Sequence, residues 1–450
     1  MPSDFRQKLH LEPQHGWLND PNGLCWFAGK YHVYFQYAPD TPDGSGTKCW
    51  GHWQSPDLLH WELTGTVLRP DHPDDRNGVY SGSALVRGDT LHLFYTGNVK
   101  EEGDFDYITA GRAANVMHVA TRDGQHIQEK QTLLRQADYP PFCSCHVRDP
   151  KVWEADGCYH MVLGARTKDN RGCVLRYHSS DLLHWHYTGT VSAGDGSYMW
   201  ECPDWFRLSG NDYLSVSPQG IPHESHRFQN VYSSGYYRMD GDVPRDYREW
   251  DAGFDFYAPQ TFLAPDGRRI LIGWMGIGDI PYSNPTAALG WQHCLTLPRE
   301  LTVRSDGVLL QTPVRELGKL RTCATRISGS AAVPVQLPFE LWGFPDGDFT
   351  AELSGILKLT YHSGEAHLEL SEAAGYGRTE RFAYLPQCHE IRMIADVSSV
   401  EIFLNGGEIV FSARMYPADT AVMLSGISGT VYDLNGMEMI SHENSVSRHR

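Results

Sequence analysis

The sequence has no run of about 18 apolar residues, the length a membrane-spanning helix requires. The longest candidate, Ile270 to Ile280, is interrupted by glycines and an aspartate and reads as a buried strand. Positive charge is scarce: 38 lysines and arginines face 55 aspartates and glutamates, a net charge of −17. So acidic a surface repels phosphate backbones and anionic headgroups, so no nucleic acid and no membrane partner is expected. The opening residues, Met-Pro-Ser-Asp-Phe-Arg-Gln, lack the basic segment and apolar run of a secretory signal, so the chain is expected in the cytoplasm. In that reducing compartment the ten cysteines are expected as thiols. Paired metal motifs are missing too: Cys143, Cys145 and His146 have no second half, and Gly276-Ile-Gly278 lacks the rest of a dinucleotide fingerprint. No metal and no organic cofactor are expected.

What is present is length, aromatic residues and repetition. The 450 residues suffice for two or three domains, and a composition 41% hydrophobic and 21% charged excludes general disorder. Aromatics at 12% suit both strand packing and stacking against sugar rings. Strand signals recur in one form: an apolar run, a glycine-containing turn and a second apolar run, with turn glycines at Gly29, Gly88, Gly157, Gly210 and Gly267. Spacings of 59, 69, 53 and 57 residues define a drifting period with room for four strands. Ser55-Pro-Asp-Leu-Leu-His-Trp61 returns as Ser179-Ser-Asp-Leu-Leu-His-Trp185, offset by 124 residues or two units. Repeated four-stranded units without helical periodicity predict an all-β chain, with a five-bladed β-propeller over residues 1–304. Residues 305–338, rich in prolines, glycines and small residues, are expected as a linker, and 339–450, with an Asn405-Gly406 hairpin turn, as a β-sandwich.

Three carboxylates fall at one phase of the repeat. Asp20 lies nine residues before Gly29, Asp149 eight before Gly157 and Glu201 nine before Gly210. Equivalent positions on different blades surround one axis, so the three acids should face a common funnel. Asp-Pro and Asn-Gly pairs are common turn formers, and any one of these motifs alone reads first as a turn. Three like charges gathered at an axis are harder to explain that way, because crowding them is unfavourable unless something is gained. Convergent carboxylates beside aromatics are what glycoside cleavage needs: one acid protonates the leaving oxygen while another attacks or stabilises an oxocarbenium-like centre.

The motifs Trp17-Leu-Asn-Asp-Pro-Asn-Gly23, Arg148-Asp-Pro150 and Glu201-Cys202 resemble the three signatures of the β-fructofuranosidases, glycoside hydrolase family 32, which includes invertases, inulinases, levanases and sucrose-6-phosphate hydrolases. Tyr34-Phe-Gln36, Trp50-Gly-His52, Tyr80-Ser-Gly-Ser83, Phe254 to Gln260, Leu295 to Leu301 and Ser398 to Asn405 resemble further blocks, so the resemblance spans nearly the whole chain. It implies that Asp20 is the nucleophile, Glu201 the acid/base and Asp149 the transition-state stabiliser. Asn19 and Asn22 are expected to donate to Asp20, and Arg148 to keep Asp149 ionised. Glu201 has to begin protonated, which the neighbouring charges favour. The resemblance also implies that Asn19, Gln36, Trp50, Ser81 and Arg148 contact the fructosyl unit. Leu18, Val147 and Tyr80 depart from the commonest family residues without removing a reacting group. Residues 104–115 and 146–153 look most like the bacterial intracellular sucrose and sucrose-6-phosphate hydrolases.

The expected activity is retaining hydrolysis of terminal β-D-fructofuranosides in sucrose or short fructo-oligosaccharides, with sucrose-6-phosphate left open. Two alternatives stand beside it. An inverting propeller glycosidase would hold its carboxyls about 6.5–9.5 Å apart rather than about 5–5.5 Å. A non-catalytic carbohydrate-binding propeller would not need a protonated glutamate beside a nucleophile. The partner expected on the main reading is a small-molecule sugar, sucrose or a fructo-oligosaccharide, and the sandwich is either a homo-oligomer surface or a brace for the propeller.

Overall fold

The computed structural model describes residues 4–353, 355–417 and 421–442, and strands dominate it. Five largely antiparallel sheets follow one another, with first strands Gly16–Phe27, Val79–Arg87, Cys143–Ala155, Met199–Leu208 and Tyr257–Leu263. Each first strand touches the next, and the fifth touches the first, so these strands close a ring about an axis as in a β-propeller. The repeat read from the sequence sits in the turns. Gly29, Gly88, Gly157, Gly210 and Gly267 all adopt φ between 59° and 85°. Open space surrounds each, so backbone conformation, not crowding, demands glycine there.

The second repeat is a turn between the third and fourth strands of the first and third sheets. Ser55 Oγ accepts from the Leu58 amide at 2.8 Å, Asp57 Oδ1 from Leu59 and His60 at 3.0 Å, and Trp61 Nε1 donates to the Leu58 carbonyl at 2.9 Å. Ser179, Asp181 and Trp185 reproduce these bonds at 2.9–3.0 Å.

The fifth sheet runs past residue 304, since Leu309–Pro313 pairs with Arg299–Val303. Part of the stretch expected as a linker is strand: Arg321–Ile327 and Ala331–Pro334 pair with Ala421–Leu434 in a ten-stranded, sandwich-like C-terminal sheet. Prolines and small residues suit these positions because the two strands lie at the border of the sheet. The Asn405-Gly406 turn joins Ser399–Leu404 to Ile409–Arg414 as expected.

Propeller and sandwich meet across buried ions. Arg299 donates to Glu401 Oε2 at 2.6 and 2.9 Å, to Asp251 at 3.1 Å and to Ser412 Oγ at 2.7 Å. Arg378 grips both oxygens of Asp255 at 2.7 Å. Described segments near both termini cross between the units. His10 bridges Asp396 and Glu401 at 2.8 and 3.0 Å, while Glu438–Ser441 pairs in parallel with the fourth strand of the first sheet.

Candidate active site

Every first strand breaks its ladder where it reaches the axis. Two residues oppose one at Asn19-Asp20, Asp149-Pro150, Cys202-Pro203 and Ala258-Pro259, and Ser81 is a single extra residue in the second sheet. Such bulges bend a strand and re-aim side chains. Proline fits because the bulged residue has no ladder partner for an amide proton. Asp149, Cys202 and Ala258 take positive φ of 66°, 46° and 49°, conformations that non-glycine residues adopt only where surrounding structure holds them. The bulges turn Asp20, Ser81, Asp149, Glu201 and Tyr257 into one cavity of 320 Å³, also lined by Asn19, Gln36, Lys48, Arg112, Arg148 and Gln219.

Asp20 accepts from Ser81 Oγ at 2.5 Å and from Asn19 Nδ2 at 3.1 Å. Its deep position pushes its carboxyl above the usual range, while these two donors pull it back. Asp149 Oδ2 accepts from the Cys202 amide at 2.9 Å, and the Cys202 sulfur lies 3.7 Å from both Asp149 and Asp20. Burial pushes Asp149 up to about 7, with the charges of Glu201 and Asp20 acting the same way and Arg148 opposing. Burial and these aspartates push the Cys202 thiol far up, so it is a protonated spacer rather than a nucleophile.

Glu201 is the most heavily hydrogen-bonded of the three. Arg148 Nε and Nη2 reach Oε1 at 3.0 and 2.7 Å, and Gln219 Nε2 and the Tyr257 hydroxyl both reach Oε2 at 2.7 Å. Of these partners Arg148 can only donate, whereas the Tyr257 hydroxyl and the Gln219 amide each also carry an acceptor oxygen. The far side of the Arg148 guanidinium donates to His146 Nδ1 at 2.8 Å.

Asp20, Asp149, Glu201, Asn19, Gln36, Ser81 and Arg148 all line the cavity, as the sequence led us to expect. Trp50 does not. Its side chain is fully buried, its Nε1 donates to the Tyr80 carbonyl at 3.0 Å, and its ring packs near Tyr34 and Tyr95. It supports the strand carrying Ser81 from below, because the alternation along Cys49–Ser55 turns it into the core. One partner differs from expectation: Asn22 donates to the Asp20 backbone carbonyl at 3.1 Å, not its carboxylate; Arg148 hydrogen-bonds Glu201, and its charge also favours the ionised form of Asp149. Tyr257, Gln219, Lys48 and Arg112 were not foreseen. For Tyr257 a signal existed: Pro259 precedes Gly267 by eight residues, as Pro21 precedes Gly29. Among the described residues, no three His, Cys, Asp or Glu side chains gather as a metal-binding group.

Comparison with known proteins follows the same division. The family model described as glycosyl hydrolases family 32 N-terminal domain matches residues 10–313, and that described as glycosyl hydrolases family 32 C terminal matches residues 358–435. A sucrose-6-phosphate hydrolase of Bacillus subtilis (strain 168) is 39% identical over 437 residues, covering 92% of this chain and 89% of that protein. The structure of a sucrose-6-phosphate hydrolase from Lactobacillus gasseri superposes with a TM-score of 0.88 at 28% identity, covering 97% and 94% of the two chains. A Bombyx mori GH32 β-fructofuranosidase variant, solved in complex with sucrose, superposes with a TM-score of 0.83 at 28% identity, covering 97% and 95%.

Proposed function

We propose that this chain, which belongs to family 32 of the glycosyl hydrolases, cleaves terminal non-reducing β-D-fructofuranosides with retention of configuration. Sucrose and short fructo-oligosaccharides are its substrates, and the five sheets are the five blades of its catalytic propeller. The propeller extends through Pro313, and the sandwich unit follows. The observation that carries the reading is the convergence of Asp20, Asp149 and Glu201 from three separate inner strands on one cavity.

In this reaction Asp20 attacks the anomeric carbon of the fructosyl unit, its carboxylate aimed by Ser81 and Asn19. Glu201 gives its proton to the departing oxygen, leaving a fructosyl ester on Asp20, and then takes a proton from the water that hydrolyses the ester. Two inversions retain configuration. While Glu201 carries the proton, the Tyr257 hydroxyl turns from donor to acceptor, an adjustment that Arg148 cannot make. Asp149, held by the Cys202 amide, grips fructosyl hydroxyls as positive charge develops on the ring. The ten free thiols and the sucrose-6-phosphate hydrolases among its relatives support a cytoplasmic setting.

Activated fructosides and azide separate the roles. Glu201→Ala should slow sucrose cleavage roughly a thousandfold while sparing a fructoside whose leaving group departs unprotonated. Azide should then yield a β-fructosyl azide of retained configuration. Asp20→Ala should fail on both substrates, and any azide product should be inverted, as proton NMR would show. Retained azide product from the Asp20 variant and inverted product from the Glu201 variant would exchange the assignments.

A further inference from the structure

The fourth sheet carries a long connection. Residues 220–234 join Asn211–Gln219 to Gly235–Asp240, antiparallel neighbours that a turn of about 2–5 residues would suffice to link. Gly220, at φ 91°, and Pro222 end the first of these strands, and the chain then crosses to the C-terminal sheet. There it meets Glu380–Tyr384, the strand at the edge of that sheet. The Gln229 side chain donates to the Phe382 carbonyl at 2.6 Å and accepts from the Phe382 amide at 2.9 Å, so a single amide group stands in for a neighbouring strand. Beside it Asn230 Oδ1 accepts from Arg381 Nη2 at 2.6 Å, and Asn230 Nδ2 donates to the Gly253 carbonyl at 2.8 Å. His226 meets Glu365 at 2.7 Å.

The two ends of the connection converge on Glu201. Gln219 and Tyr232 form an isolated antiparallel bridge, reinforced by the Ser233 amide donating to the Pro218 carbonyl at 3.1 Å and by the Ser217 and Ser234 hydroxyls at 2.8 Å. Gln219 Nε2 reaches Glu201 Oε2, and the Tyr232 ring packs 5.9 Å from that of Tyr257, whose hydroxyl reaches the same oxygen. That oxygen is the reactive one. Arg148 occupies Oε1 with two donors, so the transferable proton belongs on Oε2. Tyr232 is only three residues from Gln229. The groups facing the proton therefore hang from a segment whose far end is fastened to the other unit. Glu249 ties the segment to its own sheet, accepting from the Phe228 amide at 3.0 Å and Ser233 Oγ at 3.2 Å, but leaves Gln229 and Asn230 to the sandwich.

An edge strand can satisfy its outward amide and carbonyl with water, so a side chain fixed to both contributes position more than stability. We propose that Gln229 is a positioning residue for the reaction: docked on the sandwich edge, it holds the Gln219–Tyr232 bridge, and through it Glu201 Oε2, in the geometry that protonates the leaving oxygen. This rests on the fructosidase reading above. The sandwich then sets the aim of an acid that lies wholly on the propeller. A shift of about 1 Å in a catalytic group is enough to slow its step severalfold or more, which the strength of a distant tether can decide.

The test compares sucrose with a nitrophenyl β-D-fructofuranoside, whose leaving group departs without a proton, on the full-length enzyme. Gln229→Ala should lower kcat on sucrose roughly tenfold and kcat on the aryl fructoside less than about twofold, with KM for sucrose little altered. Arg381→Met, which frees Asn230 from the sandwich side, should act in the same direction by roughly threefold and stays informative if Gln229→Ala misfolds. Gln219→Ala and the double variant Gln219→Ala/Gln229→Ala should be equally slow on sucrose, because both lose the same contact to Glu201. Equal slowing of both substrates by Gln229→Ala and Arg381→Met would make the connection a structural tie and overturn the proposal. Loss through KM alone would overturn it in favour of a contact to the leaving sugar. A substrate ratio moved by Glu249→Gln but not by Gln229→Ala would overturn it by placing the control within the propeller. Failure of the wild type to release fructose from either substrate sinks the fructosidase reading instead.

Discussion

At the junction of propeller and sandwich, Glu401 and Asp396 are fully buried, yet their carboxyls are held below the usual range. Burial pushes each up, and the neighbouring cations, Arg299 and His10 for Glu401 and His10 for Asp396, more than offset it. On the propeller axis Asp149 is buried and Asp20 half-buried, and both are pushed upward, because burial outweighs the donors to Asp20 and the pull of Arg148 on Asp149. Asp251 is the exception at the junction, raised to about 6 because burial outweighs its share of Arg299. The same residue types thus serve two ends. Where each charge has a counterion, the ions lock two units together; where charges are left to repel, the site keeps free energy available for chemistry.

The largest effect on stability should come from emptying the centre of the lock. Arg299 is fully buried, sandwiched between the Phe256 and Phe403 rings, and answers both Glu401 and Asp251. Arg299→Met leaves two buried carboxylates without their guanidinium and should cost about 3–5 kcal/mol. Urea unfolding followed by tryptophan fluorescence measures it. Sucrose cleavage per folded molecule should change little. A variant as stable as the wild type would mean that apolar packing alone joins the units.

His10 offers a smaller, pH-dependent test of the lock. Burial alone would lower its pKa, but hydrogen bonds and charges from Asp396 and Glu401 raise it to about 9 from 6.5. Because the folded value lies above the unfolded one, its stabilisation is complete below about 6.5 and disappears as pH rises through 9. The wild-type melting temperature should therefore fall more steeply between pH 7 and pH 9.5 than that of His10→Gln. Parallel curves would show that His10 is neutral in the folded protein.

The axial region was far more legible in the sequence than the junction. Its hairpin glycines and bulge prolines are local requirements of the backbone, so they repeat wherever a blade repeats, and alignment on Gly29, Gly157 and Gly210 was enough to bring three acids together. Side-chain direction was less legible, because a single bulge residue reverses which face the next residue occupies. Trp50, which the resemblance placed in the pocket, lies beneath it, and Arg148 spends its hydrogen bonds on Glu201 while acting on Asp149 through its charge. Lys48 and Arg112 sit at the ends of long connections outside any repeat, so their arrival at the cavity depends on tertiary packing. The junction left no periodic trace at all: His10 and Asp396 are 386 residues apart and meet only once both units have folded.

The smallest expected effect sharpens the comparison from the other side. If the axial carboxylates are kept ionised against the preference of the fold, neutralising one should stabilise the protein while disabling it. Asp149 is the clearest case, its carboxyl raised from 3.8 to about 7 by burial. A group with a raised folded pKa binds protons more tightly in the folded state, so its contribution to stability declines as pH climbs from 3.8 through 7. The substitution Asp149→Asn keeps a side-chain oxygen for the Cys202 amide but removes the charge. This variant should therefore melt about 2 °C above the wild type at pH 8, with the gap narrowing toward pH 5, while activity on sucrose collapses. Scanning calorimetry at the two pH values decides the matter. A lower melting point at pH 8 would mean that the pull of Arg148 on Asp149 outweighs burial, and the axis would then be balanced in the same way as the junction.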